Sequence, residues 1–382
     1  MNAPLPLKVT RDASFQAYDK VAGASNEVAG RLAQRLASET QGEVLFSPAD
    51  RGRYATDASI YQVTPVGAFV PRYADEVKIA IDICRDLGVP IVPRGGGTSQ
   101  CGQTVGAGLV IDHSKHVRSI LSFDAEKRTA LVEPGIVLDH LNLGLKKAGL
   151  WYPVDVSTSA QATLGGMAGN NSCGSRSIAY GNMVHNVLGA QAWTADGVLH
   201  DFGRFEQSTG AVRAIGEQVR QMAAALAPEI DRNWPKVLRR VAGYNLDIFR
   251  NQNERPYTGD GSVNLAHLLV GSEGTLAVTR SLTLQLSELP KAKVLGVVNF
   301  PTFYKAMDSA QHIVKLGNSD GAVGSAGGTL TAVELVDRTM IDLALQNPAF
   351  APVVRTALIG SPEAVLLVEF CGASKQELLP KL

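Results

Sequence analysis

The sequence predicts an α+β protein built from two or three packing units, and three observations support this prediction. The chain has 382 residues, which suits two or three units at roughly 150 residues per domain. A strand–helix–strand pattern over residues 66–92 gives way to consecutive short strands, and a second alternating pattern begins near Pro290. Hydrophobic residues make up 45% and charged residues 19%, as in globular proteins that bury a core.

Composition and charge exclude several classes of protein. Lys plus Arg and Asp plus Glu are both 36, so the formal net charge is zero and nucleic acid is not an expected partner. No apolar run reaches the roughly 18 residues of a membrane span, and the first residues lack the apolar stretch of a signal peptide. Four widely spaced cysteines show no metal-ligand spacing, so no metal site is predicted. We expect a cytoplasmic protein, with peripheral attachment to the inner face of a membrane left open.

The first elements follow from hydrophobic spacing. Val28, Leu32 and Leu36 predict a helix over residues 26–41, because four-residue spacing places them on one helical face. Residues 66–92 are typical of β-α-β, with the helix ending at Gly88. Three short strands and a helix are then expected at 108–112, 117–122, 128–134 and 136–148.

The later elements are predicted in the same way. The pattern after Asn186 indicates a hairpin that turns at residues 195–197, followed by a helix over 212–226. A short helix over 235–241 and strands at 267–271 and 275–289 are expected next. Beyond Pro290 the pattern becomes β-α-β-α-β, at 293–299, 302–316, 329–335, 337–346 and 365–370.

A glycine-rich loop, residues 93–103, directly follows a predicted strand. Three successive glycines allow several backbone N–H groups to converge, and the Thr98 and Ser99 hydroxyls are adjacent, which suits a phosphate or pyrophosphate. The spacing excludes a Rossmann fingerprint, which needs glycine at Gln100, and a P-loop, which needs lysine at Gln103. A tight turn without a ligand stays open as the alternative.

Two further segments favour ligand binding. Residues 157–182 are mostly small or polar, with neither helical nor strand periodicity, and their backbone could approach a flat ligand closely. A surface loop is the alternative there. Residues 271–274, Gly-Ser-Glu-Gly, give a weaker signal, since such a sequence more often connects a hairpin.

These segments resemble those of a known family in their order and separation. The resembling stretches are VPRGGGTSQCGQ, AEKRTALVEPGIVLDHLN, PVDVSTSAQATLGGMAGNNSCGSRSIAYGNMVHNVLGAQAWTADG and LLVGSEGTLAVT, which together span most of residues 66–286. They are similar to flavoproteins of the PCMH or vanillyl-alcohol oxidase type. Within that family the resemblance is to the FAD-linked D-lactate, glycolate and D-2-hydroxyglutarate dehydrogenases.

The resemblance implies a domain organisation. Residues 1–65 would form an N-terminal helical segment and lead-in, and residues 66–289 a PCMH-type domain whose two parts clamp FAD. Residues 290–382 would begin an α+β, ferredoxin-like domain that caps the substrate. The family's later His- and Gly-containing segment, which binds metal and the substrate carboxylate, is not among these residues. Either the chain is a fragment of a longer protein or its active site is incomplete, and we expect an N-terminal fragment.

The resemblance also implies which residues bind FAD. The expected pyrophosphate loop comprises Pro93, Arg94, Gly95, Gly96, Gly97, Thr98, Ser99, Gly102 and Gln103. The residues expected beside the ribityl chain and isoalloxazine ring are Pro153, Ser157, Thr163, Gly165, Gly166, Asn171 and Gly174. Tyr180, Gly181 and Val187 would follow the cofactor toward adenine, and Glu273 and Gly274 would close the site.

Departures from the family pattern lead to separate expectations. Family members with covalent flavin often carry histidine where Thr98 stands, so noncovalent FAD is expected here. Cys101 and Cys173 are expected to be small buried thiols rather than redox groups. His113 and His116 lie three apart at a strand end with no third ligand nearby, which favours an exposed or capping role over metal binding.

The implied activity is oxidation of a D-2-hydroxy acid to the 2-oxo acid by hydride transfer to FAD. D-Lactate, glycolate and D-2-hydroxyglutarate are the expected substrate types. The electron acceptor would be a quinone, an electron-transfer protein or an iron–sulfur domain. The catalytic base and the carboxylate-binding residues are not identified in this chain. The alternatives are a flavin-binding module that is inactive without missing C-terminal or partner domains, and a flavoenzyme with unrelated chemistry, such as an enolpyruvyl reductase or ether-lipid synthase.

Overall fold

The computed structural model describes residues 26–250 except 238 and 242, then 258, 260–316 and 329–382. The first 25 residues of the expected lead-in lie outside this part. The fold is α+β, as predicted, with its strands distributed over three main sheets and one short pair. Among the helices in the described ranges, none is both long and apolar enough to cross a membrane.

The first unit is a four-stranded sheet with helices packed against it. Its strands run in the order β1-β2-β4-β3, in which β2, β4 and β3 are parallel and β1 is antiparallel. The strands are β1 Glu43–Leu45, β2 Gly67–Val70, β3 Ile91–Arg94 and β4 Leu109–Asp112. The helices are α1 Asn26–Glu39, α2 Pro48–Tyr54 and α3 Glu76–Leu87.

The second unit is built on a five-stranded antiparallel sheet in the order β5-β6-β10-β8-β9. Its strands are β5 Ile120–Asp124, β6 Thr129–Val132, β8 Val187–Trp193, β9 Leu199–Phe202 and β10 Val278–Gln285. A short pair joins β7 Leu150–Trp151 to β11 Ser287–Glu288. The helices are α4 Leu138–Leu145, α5 Leu164–Asn170, α6 Ser177–Tyr180, α7 Met183–Asn186, α8 Gly210–Ala225 and α9 Ala227–Asn233.

The third unit is a three-stranded antiparallel sheet with β14 in the centre, in the order β12-β14-β13. Its strands are β12 Ala292–Phe300, β13 Thr329–Asp337 and β14 Ala364–Gly372. The helices are α10 Phe303–Leu316, α11 Arg338–Gln346, α12 Ala351–Ala357 and α13 Lys375–Leu378.

Each unit has its own buried apolar cluster. The first contains Phe69 and Ile111 from the sheet and Ile81 from α3. The second is the largest and lies around α4, α5 and the five-stranded sheet, while the third lies beneath β14. Because separate hydrophobic clusters stabilise separate packing units, the described chain consists of three such units.

Most predicted elements are confirmed, including the helix at 26–39, β-α-β at 67–94, the hairpin β8–β9 and the alternation after residue 290. Three details are wrong. Residues 267–271 were expected as a strand, but a 3₁₀ helix, Leu265–Leu268, stands there because the Asn264 side chain accepts a hydrogen bond from Ala266 N. The described residues of 235–241 do not form the expected helix; a helix, α9, ends just before them at Asn233. The small-residue segment 157–182 contains two short helices, α5 and α6, that its periodicity did not predict.

Two histidines are buried in the second unit. Burial lowers the pKa of His267 to about 3, with the neighbouring His185 adding to the effect, and it lowers the pKa of His185 to about 4. Both imidazoles are therefore neutral in the folded chain at neutral pH. In the unfolded chain they would titrate near the ordinary value of about 6.5.

This difference predicts a loss of stability in mild acid. Below about pH 6.5 the unfolded chain takes up protons that the folded chain does not, so the free energy of unfolding decreases as the pH falls. Urea denaturation at pH 7.5, 6.0 and 5.0 would measure this slope. The slope should be smaller in His267→Gln and unchanged in His312→Gln, whose histidine is exposed on α10. Equal slopes in all three proteins would contradict the assignment.

Candidate functional site

A cavity of about 440 Å³ lies between the first and second units. Three chain segments form most of its wall: the glycine loop, residues 93–103; the small-residue segment 157–182, as far as residue 173; and the closing turn, residues 271–275. Ala190, Thr279 and Leu282 line it from the five-stranded sheet. The cavity is therefore placed where loops from both units meet.

The glycine loop leaves the carboxyl end of β3 and lines the cavity. Within the described chain, the N–H groups of its residues 95–99 have no hydrogen-bond acceptor. Gly97 has a φ of +64°, which turns the loop back after β3. Backbone N–H groups without protein acceptors are available to an anion, so the prediction that this loop binds a phosphate or pyrophosphate stays open to test.

The loop packs directly on the small-residue segment, and the contact requires glycine. A Cβ atom at Gly95 would lie 2.1 Å from Thr163 Oγ1, and one at Gly96 would lie 2.2 Å from the backbone oxygen of Gln161. A backbone oxygen cannot rotate away as a side chain can. The two segments can therefore meet only because neither glycine carries a side chain.

The Arg94 side chain holds the glycine loop in place through hydrogen bonds to backbone oxygens. Its guanidinium donates to the backbone oxygens of Thr56 at 2.9 Å, Tyr54 at 3.4 Å and Thr104 at 3.5 Å. The guanidinium also lies 5.4 Å from the centroid of the Tyr54 ring. Arg94 lines the cavity, but these contacts use its donors to tie the glycine loop to the chain after α2.

A chain of hydrogen bonds in the cavity wall joins the glycine loop to the closing turn. Ser99 Oγ donates to Gln103 Oε1, and Gln103 Nε2 donates to Glu273 Oε1 at 3.3 Å. Burial raises the pKa of Glu273, and its φ of +51° is uncommon for a residue with a side chain. Glu273 N donates to Gly169 O at 3.0 Å, which fixes the closing turn to α5. The closing turn thus contacts both other walls.

The cavity wall contains two thirds of the residues expected to bind the cofactor. Those that line it are Pro93, Arg94, Gly95, Gly96, Gly97, Thr98, Ser99, Gln103, Ser157, Thr163, Gly165, Gly166, Glu273 and Gly274. Those that do not line it are Gly102, Pro153, Asn171, Gly174, Tyr180, Gly181 and Val187. In the second set, four residues are buried and three are partly buried; the buried ones are Pro153, Asn171, Gly181 and Val187. Asn171 Oδ1, for example, accepts from Val184 N at 3.0 Å.

The expectations for cysteine and histidine need correction. Cys101 is exposed on the glycine loop and Cys173 is partly buried, so neither is the fully buried thiol that was expected. His113 was expected to be exposed or capping, but its side chain is buried and lines the cavity. His116 Nε2 forms a hydrogen bond with Glu43 Oε1 at 2.9 Å and does not line the cavity.

An ion-pair network joins the second unit to the third. Arg176, at the start of α6, donates through Nε and Nη2 to the Glu369 carboxylate on β14 at 2.7 and 2.9 Å. Its Nη1 donates to Asp155 Oδ2 at 3.2 Å. Thr331 Oγ1 donates to Glu369 Oε1 at 2.8 Å. Hydrogen bonds from Arg176 and Thr331 outweigh burial and lower the pKa of Glu369 to about 2, so the carboxylate is charged at neutral pH.

Sequence reasoning did not single out these network residues. Arg176 lies in the small-residue segment, but Asp155 and Glu369 lie 214 residues apart, and no spacing pattern connects them. His113 had a usable signal. It directly follows β4, and the carboxyl ends of parallel strands lie at one edge of a sheet, next to the loop that follows β3.

Comparison with known proteins identifies related families for both parts of the chain. Residues 65–203 match the model described as "FAD binding domain", and residues 289–381 match "FAD linked oxidases, C-terminal domain". The D-2-hydroxyglutarate dehydrogenase of Pseudomonas putida is 31% identical over 357 residues. That alignment covers 90% of this chain and 34% of the relative. Glycolate oxidase subunit GlcD of Bacillus subtilis is 29% identical over 342 residues, covering 87% of this chain and 58% of the relative.

The chain thus spans about a third of the bacterial D-2-hydroxyglutarate dehydrogenases that it matches. A solved structure of alkyldihydroxyacetonephosphate synthase superposes with a TM-score of 0.63 at 18% identity. It covers 91% of this chain and 60% of the synthase chain. At that identity the likeness shows a shared fold.

The cavity fits FAD, the cofactor that these families bind. The glycine loop has unpaired backbone donors for a pyrophosphate, and the Thr98 and Ser99 hydroxyls line the same wall. Among the described residues that line the cavity, Glu273 alone carries a carboxylate, and burial raises its pKa. Small residues along the opposite wall leave room for a flat ligand.

The glycine contact leads to a direct test. Gly96→Ala should weaken FAD binding about tenfold or more, because the methyl group forces the glycine loop away from Gln161 O and misplaces its donors. Overpacking should also lower the free energy of unfolding by about 1–3 kcal/mol. Flavin titration and urea denaturation would measure the two effects. Gly30→Ala on α1 is the control, since a Cβ there meets nothing within 4 Å. Unchanged FAD affinity in Gly96→Ala would contradict the role of this contact.

Proposed function

Because the chain belongs to the FAD-linked oxidase family, we propose that it oxidises a D-2-hydroxy acid to the 2-oxo acid with noncovalently bound FAD. The observation that carries the proposal is the set of unpaired N–H groups on the glycine loop, held against the small-residue segment at the cavity. Relatives named D-2-hydroxyglutarate dehydrogenase, D-lactate dehydrogenase and glycolate oxidase subunit support the substrate class.

The proposed organisation follows the three packing units. Residues 66–289 would be the FAD-binding domain, with the cavity between its two parts, and residues 290–382 would belong to the domain that caps the substrate. The Arg176–Glu369 ion pair supports this arrangement, because it joins β14 of the third unit to the residue that precedes α6 in the small-residue segment. A charge-assisted bidentate pair holds its partners in one orientation.

When bound, FAD would supply the redox chemistry by accepting a hydride from the α-carbon of the substrate. The residues of this chain would bind and orient the cofactor. The glycine loop would neutralise the pyrophosphate through its backbone donors, and the walls formed by the small-residue segment and the closing turn would exclude water from the cofactor. Thr98 would leave the cofactor unattached, since a threonine hydroxyl is not the histidine that covalent members of the resembling family use.

Oxidation also requires a base for the hydroxyl proton and a cation for the carboxylate. We assign neither to a residue of this chain. The physiological acceptor, expected to be a quinone, an electron-transfer protein or an iron–sulfur domain, stays a prediction; two relatives carry the name D-lactate dehydrogenase [cytochrome]. The runner-up proposal is a flavin-binding module that is inactive alone, which is motivated by the 34% coverage of the Pseudomonas relative.

Dye-linked turnover separates the two proposals. The purified chain, saturated with FAD, should reduce an artificial dye with the D-enantiomer of 2-hydroxyglutarate or lactate, or with glycolate, and not with the L-enantiomers. A protein that binds FAD but gives no turnover with any of them would favour the inactive module. Oxidation of NADPH by the loaded protein would instead indicate the chemistry of a reductase.

A further inference from the structure

A buried histidine in the cavity wall is not used by the residues described so far. His113 directly follows β4, and its backbone N–H donates to the backbone oxygen of Arg94 at 3.2 Å. This bond continues the parallel pairing of β4 with β3. This bond places His113 beside the start of the glycine loop. Its side chain lines the cavity and is only 5% exposed.

The ring nitrogen Nε2 of His113 is buried and has no hydrogen-bond partner within the described part of the chain. Buried polar atoms in folded proteins nearly always have a partner, so this atom requires an explanation. Four other side-chain atoms share this condition, on Trp151, Asn171, Trp234 and Arg250, but only His113 among these five residues lines the cavity.

We propose that His113 is a further FAD-binding residue, which forms a hydrogen bond through Nε2 to the sugar–phosphate portion of the cofactor. The position of His113 favours contact with the sugar–phosphate portion of FAD over contact with the isoalloxazine ring, because His113 adjoins the loop that suits a pyrophosphate. The inference rests on the FAD binding contained in the proposed function, but it does not depend on turnover.

The charge state of the imidazole is consistent with this role. Burial lowers the pKa of His113, and the Asp112 carboxylate and the backbone oxygens of Arg94 and Ile111 oppose this effect without overcoming it. The ring is therefore neutral at pH 7, with one N–H group and one lone pair. A hydroxyl of the cofactor can serve either tautomer, whereas a phosphate oxygen requires the proton on Nε2.

Two substitutions test the proposal by flavin fluorescence titration. His113→Leu, which removes both nitrogens, should weaken FAD binding about tenfold, whereas His113→Gln, which retains a polar group at similar reach, should remain within about threefold of the original chain. His140→Leu is the control, because His140 is exposed on α4 and does not line the cavity. The melting temperature of FAD-free His113→Leu is measured beside its affinity, because this variant also loses the contacts of the ring with the backbone oxygens of Arg94 and Ile111.

Specific results would overturn the proposal. An FAD affinity of His113→Leu within twofold of the original chain would leave Nε2 without a role in binding. Equal losses in both variants, with a lower melting temperature of the FAD-free protein, would make His113 a packing residue only. An original chain that binds no FAD would refute both this inference and the proposed cofactor, whereas FAD binding without turnover would refute only the proposed activity.

A second measurement does not depend on the folding of the leucine variant. In the original chain labelled with ¹⁵N in its seven histidine rings, the Nε2 resonance of His113 should shift when FAD is added. The His113→Gln variant identifies the resonance by its absence. A resonance that does not move at saturating FAD would contradict the hydrogen bond.

Discussion

The site depends on the close approach of two backbones, those of the glycine loop and of the small-residue segment. Gly96 and Gln161 O are so close that a methyl group at residue 96 would overlap the oxygen, at 2.2 Å. The same constraint recurs where Gly165 faces Pro134, at 2.6 Å from a Cβ to the proline side chain. The Gly96–Gln161 contact brings the first unit onto the second, and the loop residues 95–99, whose N–H groups have no acceptor in the described chain, line the cavity. Side-chain donors are then not needed for an anion.

Arg94 shows how this arrangement is held. An arginine beside a phosphate site would ordinarily be assigned to the anion. Here its guanidinium binds the backbone oxygens of Tyr54, Thr56 and Thr104, so it fixes the glycine loop to the chain that precedes β2. A second arginine, Arg176, has a comparable function between the second and third units, where it binds two carboxylates. Both arginines act on the position of the segments that form the cavity.

Much of the fold was predictable because local patterns agree with the tertiary structure. The β-α-β over 67–94 has a strand rich in apolar residues and a helix whose apolar positions recur every three or four residues. Prediction failed where tertiary contacts override weak local preferences. The predicted strand at 267–271 rests on three apolar residues, 268–270, which are too few to distinguish strand from helix. Helix α5 contains three residues of low helix propensity, Gly165, Gly166 and Gly169.

The candidate site was predictable as a set of segments but not as a set of contacts. The glycine spacing and the order of the segments predicted which segments form the cavity wall. This was possible because segments whose backbones approach closely are rich in glycine. The partners of Glu369 and the burial of His113 left no such trace. Asp155, Arg176 and Glu369 meet only through the packing of separate units. Histidine is intermediate in its tendency to be buried, so its place after a strand does not predict burial.

The central claim is that the cavity between the first two units holds FAD noncovalently. The visible absorbance spectrum of the purified chain, recorded before and after heat denaturation and removal of the pellet, tests it most directly. The account predicts flavin bands in the native protein and their recovery in the supernatant, with the released compound identified as FAD. Flavin retained on the pellet would contradict noncovalent binding. A colourless protein that also fails to bind added FAD would contradict the claim itself.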